Sequence, residues 1–189
     1  MMKTSIAVIM AGGKSSRMQQ DKALLPFGEA SSLAEFQYKR LNKLFSEVYI
    51  SAKSNKFDFS VKIIEDRYMT SSPLVALVSI FETLELNEVF VLSVDSPFVT
   101  EKVIQELYAQ GREEADVVIA ESNQGFEPLC AIYRRSFLKS AYEALNLNNH
   151  RLQALFDSLN IISVKIENKD VFLNLNYPSE YEEAKLKLG

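Results

Sequence analysis

The sequence predicts an α/β fold in which a largely parallel sheet is covered on both faces by helices. Three observations support this prediction. Short apolar runs rich in β-branched and aromatic residues have the length of strands. Longer segments repeat apolar residues every three to four positions, as amphipathic helices do. The two kinds of segment alternate along the chain, which is typical of parallel strands joined by crossover helices.

The individual elements follow from these patterns. Strands are predicted at residues 6–10, 48–51, 61–64, 89–94, 117–120, 129–133 and 161–166. Helices are predicted at residues 33–45, 74–81, 103–107, 137–145 and 152–159. A last helix begins at Pro178, because a proline followed by an acidic first turn and by later lysines is a common helix start.

Length and composition favour one folded domain spanning residues 1–189. Hydrophobic residues make up 47% of the 189 residues and charged residues 24%, which are ordinary values for a folded protein. No repeat or linker-like stretch divides the chain.

The cysteine and histidine content excludes two kinds of structural cross-link. The single cysteine, Cys130, excludes an internal disulfide and is expected in the core. The single histidine, His150, excludes a zinc site made of several Cys and His ligands.

The charge balance argues against polyanionic partners. The chain has 21 basic and 25 acidic side chains and a formal charge of −4, so no overall field attracts nucleic acid or an anionic membrane. The apolar stretch near the N-terminus is about six residues long, too short for a signal peptide core or a membrane span. The expected location is the cytosol.

The loop after the first strand, MAGGKSSRMQQDK at residues 10–22, has the character of an anion-binding loop. A P-loop would need a glycine at Val8, and a dinucleotide-binding loop would need a third glycine well before Gly28, so both motifs fail. What remains is the pair Gly12 and Gly13, which lets backbone N–H groups approach an anion, followed by three cations: Lys14, Arg17 and Lys22. A plain turn with surface cations is the alternative.

Two acidic residues follow predicted strands, at the sheet edge where ligands of open α/β folds bind. Asp95 comes directly after the run 89–94, and a carboxylate there suits Mg²⁺, which prefers carboxylates and phosphate oxygens. The alternative is a helix cap formed by Asp95 or Ser96. Asp66 follows the third strand, where it would lie near the sugar or base of a nucleotide, or act as an ordinary turn residue.

Five motifs in order resemble one family of enzymes. The opening loop is similar to the nucleotidyltransferase signature LAGGxSxRMGxDK. IIEDRYMTSSPLVAL, VDSPF, EPLCAIY and FLNLNYPSEY follow in the order found in the molybdenum cofactor guanylyltransferases, the MobA family. The resemblance covers nearly the whole chain. It implies a Rossmann-like three-layer sandwich of the nucleotide-diphospho-sugar transferase type.

The resemblance also implies a reaction and its partners. The terminal phosphate of molybdenum-loaded molybdopterin attacks the α-phosphorus of GTP and releases pyrophosphate, with Mg²⁺ as cofactor. Further partners implied are a molybdenum-insertion protein and apo-molybdoenzymes or their chaperones. Catalytic roles are implied for Arg17, Lys22 and Asp95, the last also as the metal ligand.

Binding residues are carried over by position. The nucleotide-binding residues implied are Met10, Ala11, Gly12, Gly13, Lys22, Ser51, Asp66 and Asp95. Asn174 and Asn176 are implied to hold the molybdopterin, with capping of the last helix as their alternative role.

The sequence departs from the family pattern in three places. Gln19 and Ser72 stand where the family usually has glycine, and Glu127 stands where relatives often have His or Gln.

Two other functions stay open. One rival function is a CTP-using transferase acting on molybdopterin or on an isoprenoid precursor. The other is a nucleotide-binding protein that delivers the cofactor without catalysis.

Overall fold

A seven-stranded sheet forms the centre of the computed structural model, which describes residues 5–12, 20–175 and 177–187. Its strands are β1 (Ile6–Met10), β2 (Glu47–Ala52), β3 (Lys62–Glu65), β4 (Glu88–Ser93), β5 (Val117–Ser122), β6 (Gly125–Arg134) and β7 (Ile161–Lys165). Across the sheet they lie in the order β3-β2-β1-β4-β6-β5-β7. Only β6 runs antiparallel to its neighbours, so the prediction of a mainly parallel sheet is confirmed.

Helices cover both faces of this sheet, as predicted. They are α1 (Leu33–Leu41), α2 (Pro73–Leu84), α3 (Glu101–Gln110), α4 (Leu138–Asn146) and α5 (Pro178–Leu186), with 3₁₀ helices at Lys22–Leu24, Arg135–Phe137, Leu152–Ser158 and Lys169–Phe172. In the described ranges of the chain, no helix is long and apolar enough to cross a membrane.

Two hydrophobic cores separate the sheet from its two helical layers. Along β1, Ala7 and Ile9 face the core shared with α1, α3 and α5, whereas Val8 and Met10 face the core shared with α2 and α4. This alternation follows from the period of two along a strand. Both faces are therefore apolar, which explains why the strands read as continuous hydrophobic runs.

Side-chain caps fix where the helices begin. Ser32, Ser72 and Thr100 precede α1, α2 and α3, and each hydroxyl accepts a hydrogen bond from the backbone N–H three residues later. At Ser72 the departure from the family glycine thus has a local reason. Pro73 occupies the first position of α2, where its missing N–H leaves no bond unmade.

The last third of the chain differs from the prediction in two details. The stretch predicted as a helix at 152–159 is a 3₁₀ helix, Leu152–Ser158. Strand β6 begins at Gly125, four residues before the predicted start, because residues 122–125 form the tight turn of a β5–β6 hairpin. Gly125 has a φ of 113°, which side-chain-bearing residues rarely adopt.

Candidate active site

The carboxyl ends of the parallel strands meet at one edge of the sheet. Met10 lies beside Ser51 on one side and Ser93 on the other, and Ser51 lies beside Ile64. Since these residues are level, the loops that follow β1, β2, β3 and β4 leave the sheet together. Strand β6 runs the opposite way, so its first residues, including Glu127, reach the same edge.

An ion pair joins the opening loop to β4 at this edge. The ammonium of Lys22 donates to Oδ2 of Asp95, and the hydroxyl of Ser93 donates to Oδ1 of the same carboxylate. The side chains of Lys22 and Asp95 are only 19% and 14% exposed. A short-range pair of opposite charges in a sheltered position suits the binding of a phosphate and a cation side by side.

The alternative role of Asp95 as a helix cap is not supported. Helix α3 is capped by Thr100, whose Oγ1 accepts from the N–H of Val103 at 3.4 Å. Asp95 lies five residues earlier in the turn between β4 and α3. Its carboxylate is directed to side chains of the site instead.

A second ion pair helps to connect the two ends of the opening loop, residues 10–22. The ammonium of Lys56 pairs with Asp21 and also lies 3.4 Å from the carbonyl oxygen of Ala11, where it donates a hydrogen bond. Asp21 in turn accepts from the N–H of Ala23 at 3.1 Å and so caps the 3₁₀ helix that begins with Lys22. Lys56 therefore fixes the position from which Lys22 reaches Asp95.

The backbone at the end of β1 is buried against the sheet, whereas the residue that follows it is exposed. Met10 and Ala11 are buried, and the N–H of Ala11 donates to the carbonyl of buried Ser51 at 2.9 Å. Gly12 is exposed, and a Cβ placed there would meet no atom within 4 Å among the described residues. Packing against the described residues therefore does not require glycine at this position, and none of them would contact a Cβ placed there.

Three of the site residues implied by the resemblance lie outside the described residues. These are Gly13, Arg17 and Asn176, and Lys14 and Gln19 lie outside them as well. Their roles remain predictions.

Asp66 lies at the far side of the edge from Asp95. It follows β3, and three inter-strand steps of about 4.8 Å separate β3 from β4, or roughly 14 Å in all. Its carboxylate accepts from the hydroxyl of Ser71 at 3.2 Å, and burial raises its pKa. The structure therefore places Asp66 apart from the Lys22–Asp95 pair.

Asn174 reaches the site from the C-terminal segment. Its Oδ1 accepts from the hydroxyl of Ser96 at 2.8 Å, and the N–H of Leu175 donates to the carbonyl of Asp95 at 3.1 Å. Asn174 thus contacts the turn that contains Asp95. Asn174 and Asp95 are brought together although 79 positions separate them in the chain.

A cavity of about 310 Å³ lies between the turn that joins β5 to β6 and the C-terminal segment. It is lined by Ser122, Asn123, Gln124, Glu127, Ile166, Lys169, Phe172 and Leu173. Burial, together with the negative charge of Asp95, raises the pKa of Glu127. Polar groups and apolar walls are therefore combined in this cavity, as is usual for small-molecule sites, and Glu127 on its wall is close enough to Asp95 to respond to its charge.

Sequence reasoning did not find the roles of Ser93 and Lys56. Ser93 stands two residues before Asp95, a spacing that places two residues of an extended chain on one side and so could have been recognised. Lys56 gave no such signal. It stands in a polar stretch and pairs with a residue 35 positions earlier.

The family match makes this chain a nucleotidyltransferase, and solved structures share its fold. Molybdopterin-guanine dinucleotide biosynthesis protein A from Archaeoglobus fulgidus superposes with a TM-score of 0.82 at 19% identity, covering 96% of this chain and 97% of that one. CMP:2-keto-3-deoxy-manno-octonic acid synthetase complexed with CTP gives 0.79 at 15% identity, covering 98% of each chain. At these identities the likeness establishes the fold alone.

The sequence places the chain more narrowly. It belongs to the family of the MobA-like NTP transferase domain, whose profile matches residues 7–162. A protein from Campylobacter jejuni subsp. doylei named molybdenum cofactor guanylyltransferase is 38% identical over 183 residues, 96% of this chain and 95% of that protein. One of the same name from Helicobacter pylori strain P12 is 35% identical over 182 residues, 94% and 90% of the two chains. Membership of this family is consistent with a divalent metal.

Proposed function

We propose that the protein transfers GMP from GTP to the terminal phosphate of molybdenum-loaded molybdopterin, releases pyrophosphate, and does so as a single nucleotidyltransferase domain. The observation that carries this proposal is the Lys22–Asp95 ion pair at the sheet edge where β1 ends, two residues before Gly12. The choice of GTP and molybdopterin is supported by the names of the relatives that are 35–38% identical over nearly the full length.

The nucleotide would lie along the carboxyl edge of the sheet. Its phosphates would contact Gly12, Gly13 and Lys22, over the buried backbone of Met10 and Ala11. Its sugar and base would extend towards Ser51 and Asp66, across β2 and β3. The three inter-strand spacings between β3 and β4, roughly 14 Å in all, give the nucleotide room to extend from Asp95 towards Asp66 without bringing both carboxylates to one phosphate.

The reaction replaces one phosphoanhydride bond by another. An oxygen of the acceptor phosphate bonds to the α-phosphorus, the bond from this phosphorus to the oxygen that bridges the β-phosphate breaks, and pyrophosphate leaves with that electron pair. The acceptor phosphate is already largely deprotonated at neutral pH, so no general base is needed. Lys22 and Arg17 offset the negative charge that both reactants bring.

The residues present fit Mg²⁺. Each oxygen of the Asp95 carboxylate accepts one hydrogen bond in the structure, which leaves lone pairs for a cation. We propose that Asp95 holds Mg²⁺ together with phosphate oxygens of the nucleotide, as this ion usually binds. When bound, it neutralises charge on the reacting phosphates.

The acceptor would occupy the side of the site away from the nucleotide. The 310 Å³ cavity offers the ammonium of Lys169, the ring of Phe172 and polar groups at Asn123 and Gln124. Asn174 and Asn176 would complete this side for the molybdopterin. The product would pass to apo-molybdoenzymes or their chaperones in the cytosol, after a molybdenum-insertion protein has supplied the loaded acceptor.

Pyrophosphate release tests the proposal. The protein is incubated with Mg²⁺, molybdenum-loaded molybdopterin and either GTP or CTP, and the Asp95→Asn variant serves as the control. We expect release with GTP and a loss of about 100-fold or more in the variant, since removing one such charge-stabilising group typically costs on the order of 3 kcal/mol. A preference for CTP would identify the sister activity, and nucleotide binding without release would identify a delivery protein; either result overturns the proposal.

A further inference from the structure

We infer that Gln37 and Arg40, on the face of α1 directed to the sheet, are positioning residues for Asp95. The inference rests on the proposed function, because it concerns how the fold holds the carboxylate used there. Neither residue lies at the sheet edge or belongs to the motifs that resemble the family. Both act on Asp95 through the backbone of the turn that carries it.

Gln37 binds the backbone on both sides of Asp95. Its side chain is fully buried, and its Nε2 donates to the carbonyl of Ser96 at 3.0 Å and to the carbonyl of Ser93 at 3.3 Å. The carbonyl of Ser93 also accepts from the N–H of Ser96 at 3.2 Å, which closes the turn around Asp95. One amide group therefore fixes the two residues that flank the turn.

Arg40 fixes the orientation of that amide. Its Nη2 donates to Oε1 of Gln37 at 2.7 Å, and its Nη1 donates to the carbonyl of Val99, where the segment after the turn enters α3. A guanidinium has only donors, so the oxygen of the Gln37 amide must face Arg40 and the NH₂ group must face the β4 carbonyls. The direction of both hydrogen bonds is therefore fixed: Arg40 donates to Gln37, and Gln37 donates to Ser96.

Packing alone does not account for a charged residue at this place. Arg40 is half-buried on a helix that covers an apolar sheet, and desolvation lowers its pKa to about 10. Its Nε is buried and has no hydrogen-bond partner among the described residues. An apolar side chain would avoid the cost of desolvating the guanidinium. Besides lying over the ring of Phe36, the guanidinium of Arg40 donates to Gln37 and to the carbonyl of Val99, in the segment that follows β4.

The turn needs such support because regular structure does not supply it. Residues 94–100 lie between β4 and α3, and the position of the Asp95 carboxylate is set by this segment. Catalytic groups generally have to be held within about 0.5 Å of their productive geometry. Without the Gln37 amide, the carbonyls of Ser93 and Ser96 would lose a buried donor and the turn could shift.

Gln37→Leu tests the role, with Ser32→Ala as the matched control. Ser32 caps the same helix through the N–H of Glu35 at 3.1 Å and does not contact the turn. Two quantities besides stability are measured: Mn²⁺ affinity by EPR in the presence of GTP, and kcat separately from the KM for GTP. Thermal unfolding shows whether both variants lose comparable stability.

We expect Gln37→Leu to lower kcat by about 10- to 100-fold, the size expected for a misplaced catalytic group, and to weaken Mn²⁺ binding by about 10-fold. The KM for GTP at saturating metal should change less than about threefold, since the loop of residues 10–22 is untouched. Ser32→Ala should keep wild-type kcat and Mn²⁺ affinity. Wild-type values in Gln37→Leu would overturn the inference.

A second pair of variants keeps the test decisive if Gln37→Leu does not fold. Arg40→Lys retains a donor for the Gln37 oxygen, whereas Arg40→Met retains none, so kcat and Mn²⁺ affinity should recover partly in the lysine variant. Equal values in the two variants would contradict the inference. Failure of the proposed function is seen separately, because the wild-type protein would then release no pyrophosphate from GTP.

Discussion

Glycine at position 12 is expected to matter for ligand binding and not for the stability of the fold. A Cβ at this position meets no described atom within 4 Å, so Gly12→Ala should leave thermal unfolding unchanged. It should weaken GTP binding by about 10-fold, because the methyl group would hold the phosphates away from the backbone N–H groups; each tenfold loss corresponds to about 1.4 kcal/mol. Titration calorimetry with GTP measures the change.

Gly111→Ala is the control for this prediction. A Cβ there would lie 3.3 Å from the carbonyl oxygen of Tyr108, at the end of α3 and away from the site. It should lower the midpoint of thermal unfolding and keep the wild-type affinity for GTP. If Gly12→Ala binds GTP as the wild type does, the space above Gly12 does not hold the phosphates.

Glu127 should make stability depend on pH in a defined direction. Burial, then the charge of Asp95, raises its pKa in the folded protein, so folding disfavours its carboxylate form. Above the folded pKa this opposes folding, and the opposition disappears as the pH falls towards the unfolded value. Glu127→Gln should therefore be more stable than the wild type at pH 8, and the difference should shrink towards pH 4. Urea unfolding in EDTA measures this, and a gain at pH 4 as large as at pH 8 would contradict it.

At the scale of single elements, the start of α2 gives a clear prediction. The hydroxyl of Ser72 accepts from the N–H of Val75 at 3.2 Å. Ser72→Ala should lower the free energy of unfolding by about 1 kcal/mol, whereas Ser72→Gly should lower it by only a few tenths, because glycine leaves the helix end open to water. Urea unfolding distinguishes the two variants. Equal losses would mean that the hydroxyl does not cap α2, and they would leave the serine unexplained.

Strand positions could be predicted because apolar runs of strand length are local signals. All seven predicted strands are present, and β1 has the predicted bounds. The reversed direction of β6 could not be read from the sequence, since an apolar run has the same pattern in either direction. What sets the direction is the hairpin turn at residues 122–125, where Gly125 has a φ of 113°.

The site was predictable to the extent that it follows strands. Asp95 was identified because it ends a buried run, and the structure pairs it with Lys22 of the opening loop. Gln37 was not identified, since a glutamine in an amphipathic helix reads as a surface residue. Its partner Ser96 is 59 positions away, and no local pattern records such a contact. Long-range polar contacts are therefore the part of the site that sequence reasoning loses.

At the scale of the whole molecule, the C-terminal segment packs against parts of the chain that carry the site. The N–H of Leu175 donates to Asp95, and the hydroxyl of Tyr181 on α5 donates to the carbonyl of Pro26, which follows the opening loop. The ring of Tyr181 also lies 6.4 Å from that of Phe27. The family profile ends at residue 162, yet the residues beyond it contact both the segment that follows the opening loop and the turn that carries Asp95.

These contacts predict that the C-terminal segment and the sheet unfold together, as the proposed single domain requires. Far-UV and near-UV circular dichroism should follow one urea transition, because the environment of Tyr181 on α5 depends on Pro26 and Phe27, which follow the opening loop. Tyr181→Phe removes the hydroxyl and should shift both signals together by about 1 kcal/mol, the usual net contribution of one hydrogen bond. If the near-UV signal moves alone, α5 (Pro178–Leu186) unfolds by itself and does not belong to the single cooperative domain.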